Sequence, residues 1–174
     1  DGGRMVLRRF TAVCLFACAI SAPALADDAA SATTISHFSG KPVPRFESLR
    51  YSAVNGRAGP GKDHQILWRY ERQGLPVLII KESRDWRRVR DPDGDEVWIR
   101  GNQLSAAAHA LVRRETVLRA SPDPEARPVA KLAEGVLAEL GPCDAGWCRL
   151  ETPRGKGWAA RADLWGANAT DTPL

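Results

Sequence analysis

Few side chains in this chain are equipped for chemistry, and their spacing narrows what each could do. There are four cysteines, Cys14, Cys18, Cys143 and Cys148, and three histidines, His37, His64 and His109. A thiolate nucleophile needs a base such as His within hydrogen-bond reach, and none of the three histidines has a recognisable partner. Cys143 and Cys148 have four residues between them, not the two of a thioredoxin-like redox pair, and with no His nearby they make a poor zinc site. Asp91, Asp93, Asp95 and Glu96 crowd one short segment. It lacks the length and the distal bidentate Glu of a calcium loop, so it reads as a solvated turn tip. No Gly-rich phosphate loop or nucleophile elbow is present. The expectation is a non-catalytic chain with no metal site and no cofactor.

Binding is the chemistry that remains, and tryptophan is its candidate carrier. Trp86 and Trp98 lie in "DWRRVRDPDGDEVWI", Trp147 and Trp158 in "GWCRLETPRGKGWAA"; Trp68 and Trp165 complete the set. In an extended strand alternate residues share a face, which puts Trp86 with Arg88 and Arg90, and Arg87 with Val89. The same alternation puts Trp147 with Arg149 and Glu151. A Trp among charged neighbours is at least partly exposed. An aromatic plate flanked by guanidinium groups suits an acidic or Pro-rich peptide. The same grouping also fits a cation–π pair on an ordinary surface, and Arg84, Arg87, Arg88 and Arg90 also fit a solvated face. Paired Trp residues can equally fill a core too small for aliphatics alone.

The elements that must position these residues come in two copies. Arg57-Ala58-Gly59-Pro60 aligns with Arg119-Ala120-Ser121-Pro122, and later landmarks stay in step. Arg57 to Trp86 is 29 positions and Arg119 to Trp147 is 28; Trp86 to Trp98 is 12 and Trp147 to Trp158 is 11. Trp98 to Leu104 and Trp158 to Leu164 are both 6. Each copy reads as short strands punctuated by Gly and Pro turns. Leu75 to Lys81 is a Val- and Ile-rich run, Trp86 to Arg90 alternates, Asp93-Gly94 marks a hairpin and Val97 to Ile99 returns. The second copy has Val136 to Leu140, Trp147 to Thr152, a turn over Pro153 to Gly157, and Trp158 to Arg161. Ala126 to Glu139 has helix-forming content, but the repeat register overrides it. The fold class expected is all-β, two tandem small barrels.

Around these copies the chain carries export signals. Arg8 and Arg9, the apolar run Phe10 to Ala22 and Ala24-Leu25-Ala26 read as a secretory signal peptide over 1–26 with cleavage after Ala26, residues 1–4 being an upstream extension. The apolar run falls short of the roughly 20 residues of a spanning helix, so membrane contact is expected only through the transient signal. A rival reading takes Cys18 as a lipoprotein acylation site. Removing residues 1–26 lowers the positive side chains from 25 to 22 and the negative from 21 to 20, which weakens the case for nucleic acid. From Lys41 to Ser105 there are 13 basic and 9 acidic residues, against 9 of each from Ala106 to Leu174. Residues 27–45, rich in Ala, Ser and Thr, read as a flexible linker; 46–105 and 106–166 as the two domains; 167–174 as a tail.

The series Arg-Ala-Gly-Pro, Gly74, Trp86-x-x-Val89, Gly94, Trp98-Ile99 and Leu104, repeated from Arg119, resembles the bacterial SH3-like (SH3b) domain family, in tandem, as found in exported Gram-negative proteins. The resemblance implies five-stranded bent barrels that bind cell-wall peptides or protein segments and are often attached to hydrolases. It gives Trp98 and Trp158 the position that opens the last strand, a structural one. Trp86 and Trp147 take the position that lines the groove of peptide-binding relatives, which makes Trp86, Arg88, Arg90, Trp147 and Arg149 the candidate ligand contacts. Arg57 and Arg119, in register, are expected to brace a loop.

An exported location is oxidising, and the two cysteines outside the signal flank a turn between strands. Cys143–Cys148 is therefore expected as a disulfide, with Glu82 and Arg87 at the corresponding places of the first copy. The function expected is a periplasmic or secreted binding module for peptidoglycan or a peptide or protein segment. The alternative is a docking subunit of a wall hydrolase or other periplasmic enzyme, with no ligand of its own.

Overall fold

Val- and Ile-rich runs split by Gly and Pro turns become short strands because each buries one face and bends at each break. The computed structural model describes residues 33–167. A small hairpin comes first, β1 (Thr34–Ile35) and β2 (Pro42–Val43). The first barrel follows: β3 (Arg45–Leu49), β4 (Val54–Arg57), β5 (Ile66–Tyr70), β6 (Pro76–Ser83), β7 (Trp86–Arg90), β8 (Glu96–Arg100) and β9 (Leu104–Ser105). The second barrel has β10 (His109–Val112), β11 (Thr116–Arg119), β12 (Pro128–Leu132), β13 (Leu137–Asp144), β14 (Trp147–Thr152), β15 (Gly155–Ala160) and β16 (Leu164–Trp165). A turn of 3-10 helix, Gly101–Gln103 or Arg161–Asp163, precedes each last strand. No helix among the described residues is long and apolar enough to cross a membrane. The expected signal peptide and residues 168–174 of the tail lie outside the described residues.

The sheets have the same order, β5-β4-β8-β7-β6-β3-β9 and β12-β11-β15-β14-β13-β10-β16. This is the all-β tandem expected from the repeat, with seven strands in each sheet where the resemblance implies five. Register shifts between Ile79 and Lys81, and between Leu140 and Cys143, sit at the same point of each long strand. Such bulges bend the strand, which lets a short sheet curl. Val54, Val77, Ile79, Val89, Val97, Ile99 and Leu104 fill the first core; Val112, Leu118, Leu132, Cys148, Leu150 and Leu164 belong to the second. Each fully buried aliphatic contributes about 1.5–3 kcal/mol. The second barrel closes tightly at Gly157, where a Cβ would stand 2.5 Å from the Arg119 carbonyl oxygen.

Three local features differ from expectation. Residues 126–139 are strand and turn, as the register requires, yet the second hairpin turn is shorter than Pro153 to Gly157. Thr152 already pairs with Gly155, and the Thr152 hydroxyl donates to the Gly155 carbonyl at 3.0 Å. The lead-in, expected to be flexible through residue 45, forms β1 and β2 because Glu82 anchors it: the Ser36 hydroxyl donates to that carboxylate, as does Arg45 at 2.7 Å. Finally, the first barrel also has a cross-strand tie where only the second was expected to have one. Glu82 and Arg87 face each other with Oε1 and Nε 3.0 Å apart, at the position where Cys143 and Cys148 face each other.

The barrels touch through side chains of both. Trp165 is fully buried; its indole N–H donates to the Pro76 carbonyl at 2.9 Å, and its ring meets Phe46 edge-on at 5.1 Å. The Ser48 hydroxyl donates to the Ala107 carbonyl at 2.8 Å, and His109 Nδ1 lies 3.1 Å from the same hydroxyl. Arg72 donates to the Gly135 carbonyl across the junction.

Candidate functional site

Cross-strand register decides which side chains share a face. On the first barrel Trp86 stands opposite Arg100, Arg88 opposite Trp98, and Arg90 opposite Glu96; Arg57 stands opposite Trp98 from the other side. Trp86 and Trp98, expected to hold distinct positions, therefore lie on one outward face of neighbouring strands, while Val89 and Val97 fill the core behind them. Arg88 and Arg90 share this face but converge on one carboxylate, each bonding Glu96 at 2.7 Å. They do not line the concavity that Trp86 lines.

That concavity, about 260 Å³, is formed by Trp86, Arg100 and Arg57 on the strands, with Asn55 beside them and Tyr51, Lys62, Asn102 and Gln103 from the flanking loops. Its wall combines two aromatic rings, three cations and three amides, and no carboxylate. Arg57 donates to the Lys62 and His64 carbonyls at 2.9 and 2.7 Å, so the same guanidinium lines the groove and holds its loop. Asp85 is 4.0 Å from Arg100 and mostly exposed.

The second barrel repeats the frame without this wall. Trp147 faces Ala160 where Trp86 faces Arg100, Arg149 faces Trp158, and Glu151 pairs with Lys156 at 2.7 Å. Val117 takes the place of Asn55. Asp163, at the register of Gln103, is bound by Arg114 at 2.5 Å and by the Thr116 hydroxyl at 2.6 Å. Arg119 donates to the Ala126 carbonyl at 2.8 Å, the counterpart of Arg57 on its loop. Arg149 lines a different hollow with Glu139, Gly141 and Pro142, on the bulged β13–β14 ladder.

The acidic turn has an internal explanation. Asp91 is buried and accepts the backbone N–H groups of Asp93 and Asp95 at 3.1 and 2.9 Å and the Tyr70 hydroxyl at 2.9 Å. Burial raises its carboxyl above the usual carboxylate range despite those bonds, and burial together with the Asp91 charge pushes the Tyr70 hydroxyl far up. Cys143 and Cys148 form the expected disulfide. No group of three or more His, Cys, Asp or Glu among the described residues could hold a metal ion.

A family model of the bacterial SH3 domain matches residues 50–106 and again 112–166. The chain belongs to the bacterial SH3 domain family, in tandem. No curated protein matches it. Among solved structures, the SH3 pair is similar to NlpC2 from Trichomonas vaginalis at 12% identity, covering 70% of this chain and 48% of that one with a TM-score of 0.33. NlpC1 from the same organism gives 13% identity, 76% and 48% coverage and 0.32. An NlpC/P60 family protein from Bacillus cereus gives 14%, 69% and 55%, and 0.32. The chain thus spans about half the length of these structures.

Sequence reasoning reached Trp86 as a groove residue and Arg57 only as a loop brace, and did not reach Tyr51, Asn55, Lys62, Arg100, Asn102 or Gln103. A signal for some of them was present: where the repeats align, Asn55 and Arg100 are polar in the first SH3 domain, and Val117 and Ala160 are not in the second.

Proposed function

We propose that the first SH3 domain is an extracytoplasmic binding module that takes a carboxylate-bearing peptide, such as a peptidoglycan stem peptide, in the groove around Trp86. The observation that carries this reading is the groove wall: Tyr51 and Trp86 offer aromatic rings, Arg57, Lys62 and Arg100 offer positive charge, and no carboxylate is part of the wall. A guanidinium binds a carboxylate through two parallel N–H donors, and amides such as Asn55 and Gln103 satisfy peptide groups laid over the aromatic rings. The second SH3 domain serves as scaffold and holds the disulfide, which suits an oxidising compartment. The role is binding and not turnover: both cysteines of the described region are joined, and His109 sits in the junction between the barrels.

The test is co-sedimentation of residues 27–174 with purified peptidoglycan. The wild-type protein is expected to pellet, and Trp86→Ala and Arg100→Ala, each checked for folding, to remain largely in solution, about ten-fold weaker. If the wild-type protein also stays soluble, the wall is not the ligand. The docking role on a periplasmic enzyme then takes its place.

A further inference from the structure

Strand β5 is the outer edge of the first sheet, as β12 is of the second. An edge strand presents unpaired backbone N–H and C=O groups, and proteins ordinarily blunt such edges with Pro, Lys or short polar residues. The second barrel does so. Pro128 stands opposite Arg119, Ala130 opposite Leu118 and Lys131 opposite Val117. At the same register the first barrel has Ile66 opposite Arg57, Trp68 opposite Gly56 and Arg69 opposite Asn55. Ile66, Leu67 and Trp68 are 45%, 48% and 51% exposed. Because consecutive residues point to opposite sides of a strand, apolar surface covers both sides of this edge.

We propose that β5 is a second recognition site, which takes an extended apolar segment of a partner protein as an added strand, separate from the Trp86 groove. The size of the patch selects this occupant over a second copy of the chain. A standard interface buries about 800 Å² on each partner, and three half-exposed side chains on a five-residue strand fall well short of that. Strand addition needs less area, since backbone hydrogen bonds supply affinity and alternate side chains supply specificity. The occupant is an uncharged segment free of Pro, with aliphatic or aromatic residues at alternate positions that cover Ile66 and Trp68. The neighbouring charges add no demand of their own, since Arg69 and Glu71 pair with each other at 3.2 Å.

The probe is a displayed library of random hexapeptides selected against residues 27–174, with the enriched peptides then synthesised. Alternating apolar sequences are expected to be enriched, and a bound peptide to slow amide hydrogen exchange over residues 66–70 by at least about ten-fold. Ile66→Pro with Trp68→Ala installs the residues that the second barrel already carries at this register, so the fold accommodates them. This double variant, confirmed folded by circular dichroism, is expected to bind the peptide at least about ten-fold more weakly, and Trp86→Ala to bind it normally. Failure to enrich any peptide overturns the proposal, as does binding that the double variant retains or that Trp86→Ala abolishes. Concentration-dependent dimerisation abolished by the double variant, without peptide binding, assigns the edge to a second copy and overturns it as well.

Discussion

Glu82 is a carboxylate whose side chain is 1% exposed, held by Arg45 at 2.7 Å and Arg87 at 3.0 Å and bonded by the Ser36 hydroxyl. Burial alone would raise its pKa; hydrogen bonds from Ser36 and Ser39 and the Arg45 charge more than offset this and hold it below the usual carboxylate range. A folded-state pKa below the unfolded value of about 4.3 means that the unfolded chain binds the proton more readily. The stabilisation is complete above the unfolded pKa and is lost as pH falls through the folded one. Asp91 acts oppositely, since its raised pKa makes the folded state the better proton acceptor. Glu82→Gln is therefore the clean comparison. At neutral pH it should cost about 3 kcal/mol, as when one partner of a buried pair is removed. The gap between wild type and variant should narrow on acidification from about pH 6 to about pH 3, read from urea midpoints. The sequence showed Glu82 only as the counterpart of a cysteine. Its value depends on Arg45 and Ser36, which come from a segment whose composition reads as linker, so the cluster was out of reach.

Among the elements, β6–β7 and β13–β14 are the same bulged hairpin closed by different chemistry, an ion pair in the first barrel and a disulfide in the second. A loop as short as that between Cys143 and Cys148 yields only about 2 kcal/mol by chain-entropy arithmetic. Cys143→Ala with Cys148→Ala should lower the stability of the second barrel by about that amount, measurable by denaturant unfolding, with the β6–β7 amides of the first barrel unchanged in hydrogen exchange. The strands β6 to β8 and β13 to β15 were legible because Trp, Gly and Pro recur at fixed intervals, whereas the order of seven strands in each sheet was not. The groove was legible only in fragments: alternation placed Trp86 outward, but the side chains that complete the site come from loops and from β8, and period-two patterning says nothing about them. Alternation also grouped Arg88 and Arg90 with Trp86 correctly by face. It could not show that Glu96, one strand away, holds both.

At the scale of the whole molecule, the fully buried Trp165 ties the barrels together beside the contacts of Ser48, His109 and Arg72. Leu164-Trp165 pairs with β10 as Leu104-Ser105 pairs with β3, so Trp165 occupies the register of Ser105 and projects into the neighbouring barrel instead of its own core. In sequence it reads as the last of six tryptophans, with no role of its own. Trp165→Ser should cost about 3–5 kcal/mol, the range for emptying a buried Trp site. It should also broaden the calorimetric transition, since the barrels lose their buried tie and keep only the weaker contacts between them.

The adjacency of first and last strands in each barrel has a mechanical consequence. β3 and β9, like β10 and β16, are antiparallel neighbours joined by two residue pairs, so a pull on the chain where it enters and leaves a barrel acts on one end of that ladder. The hydrogen bonds then break in succession, as in a zipper, and do not resist together in shear. Against such a load the first barrel's closing strand has its ladder and the exchangeable bond that the Arg50 guanidinium donates to the Leu104 carbonyl at 3.1 Å. The second's carries an indole seated under a carbonyl of the neighbouring barrel, and tension must draw that anchor out before the strand can peel.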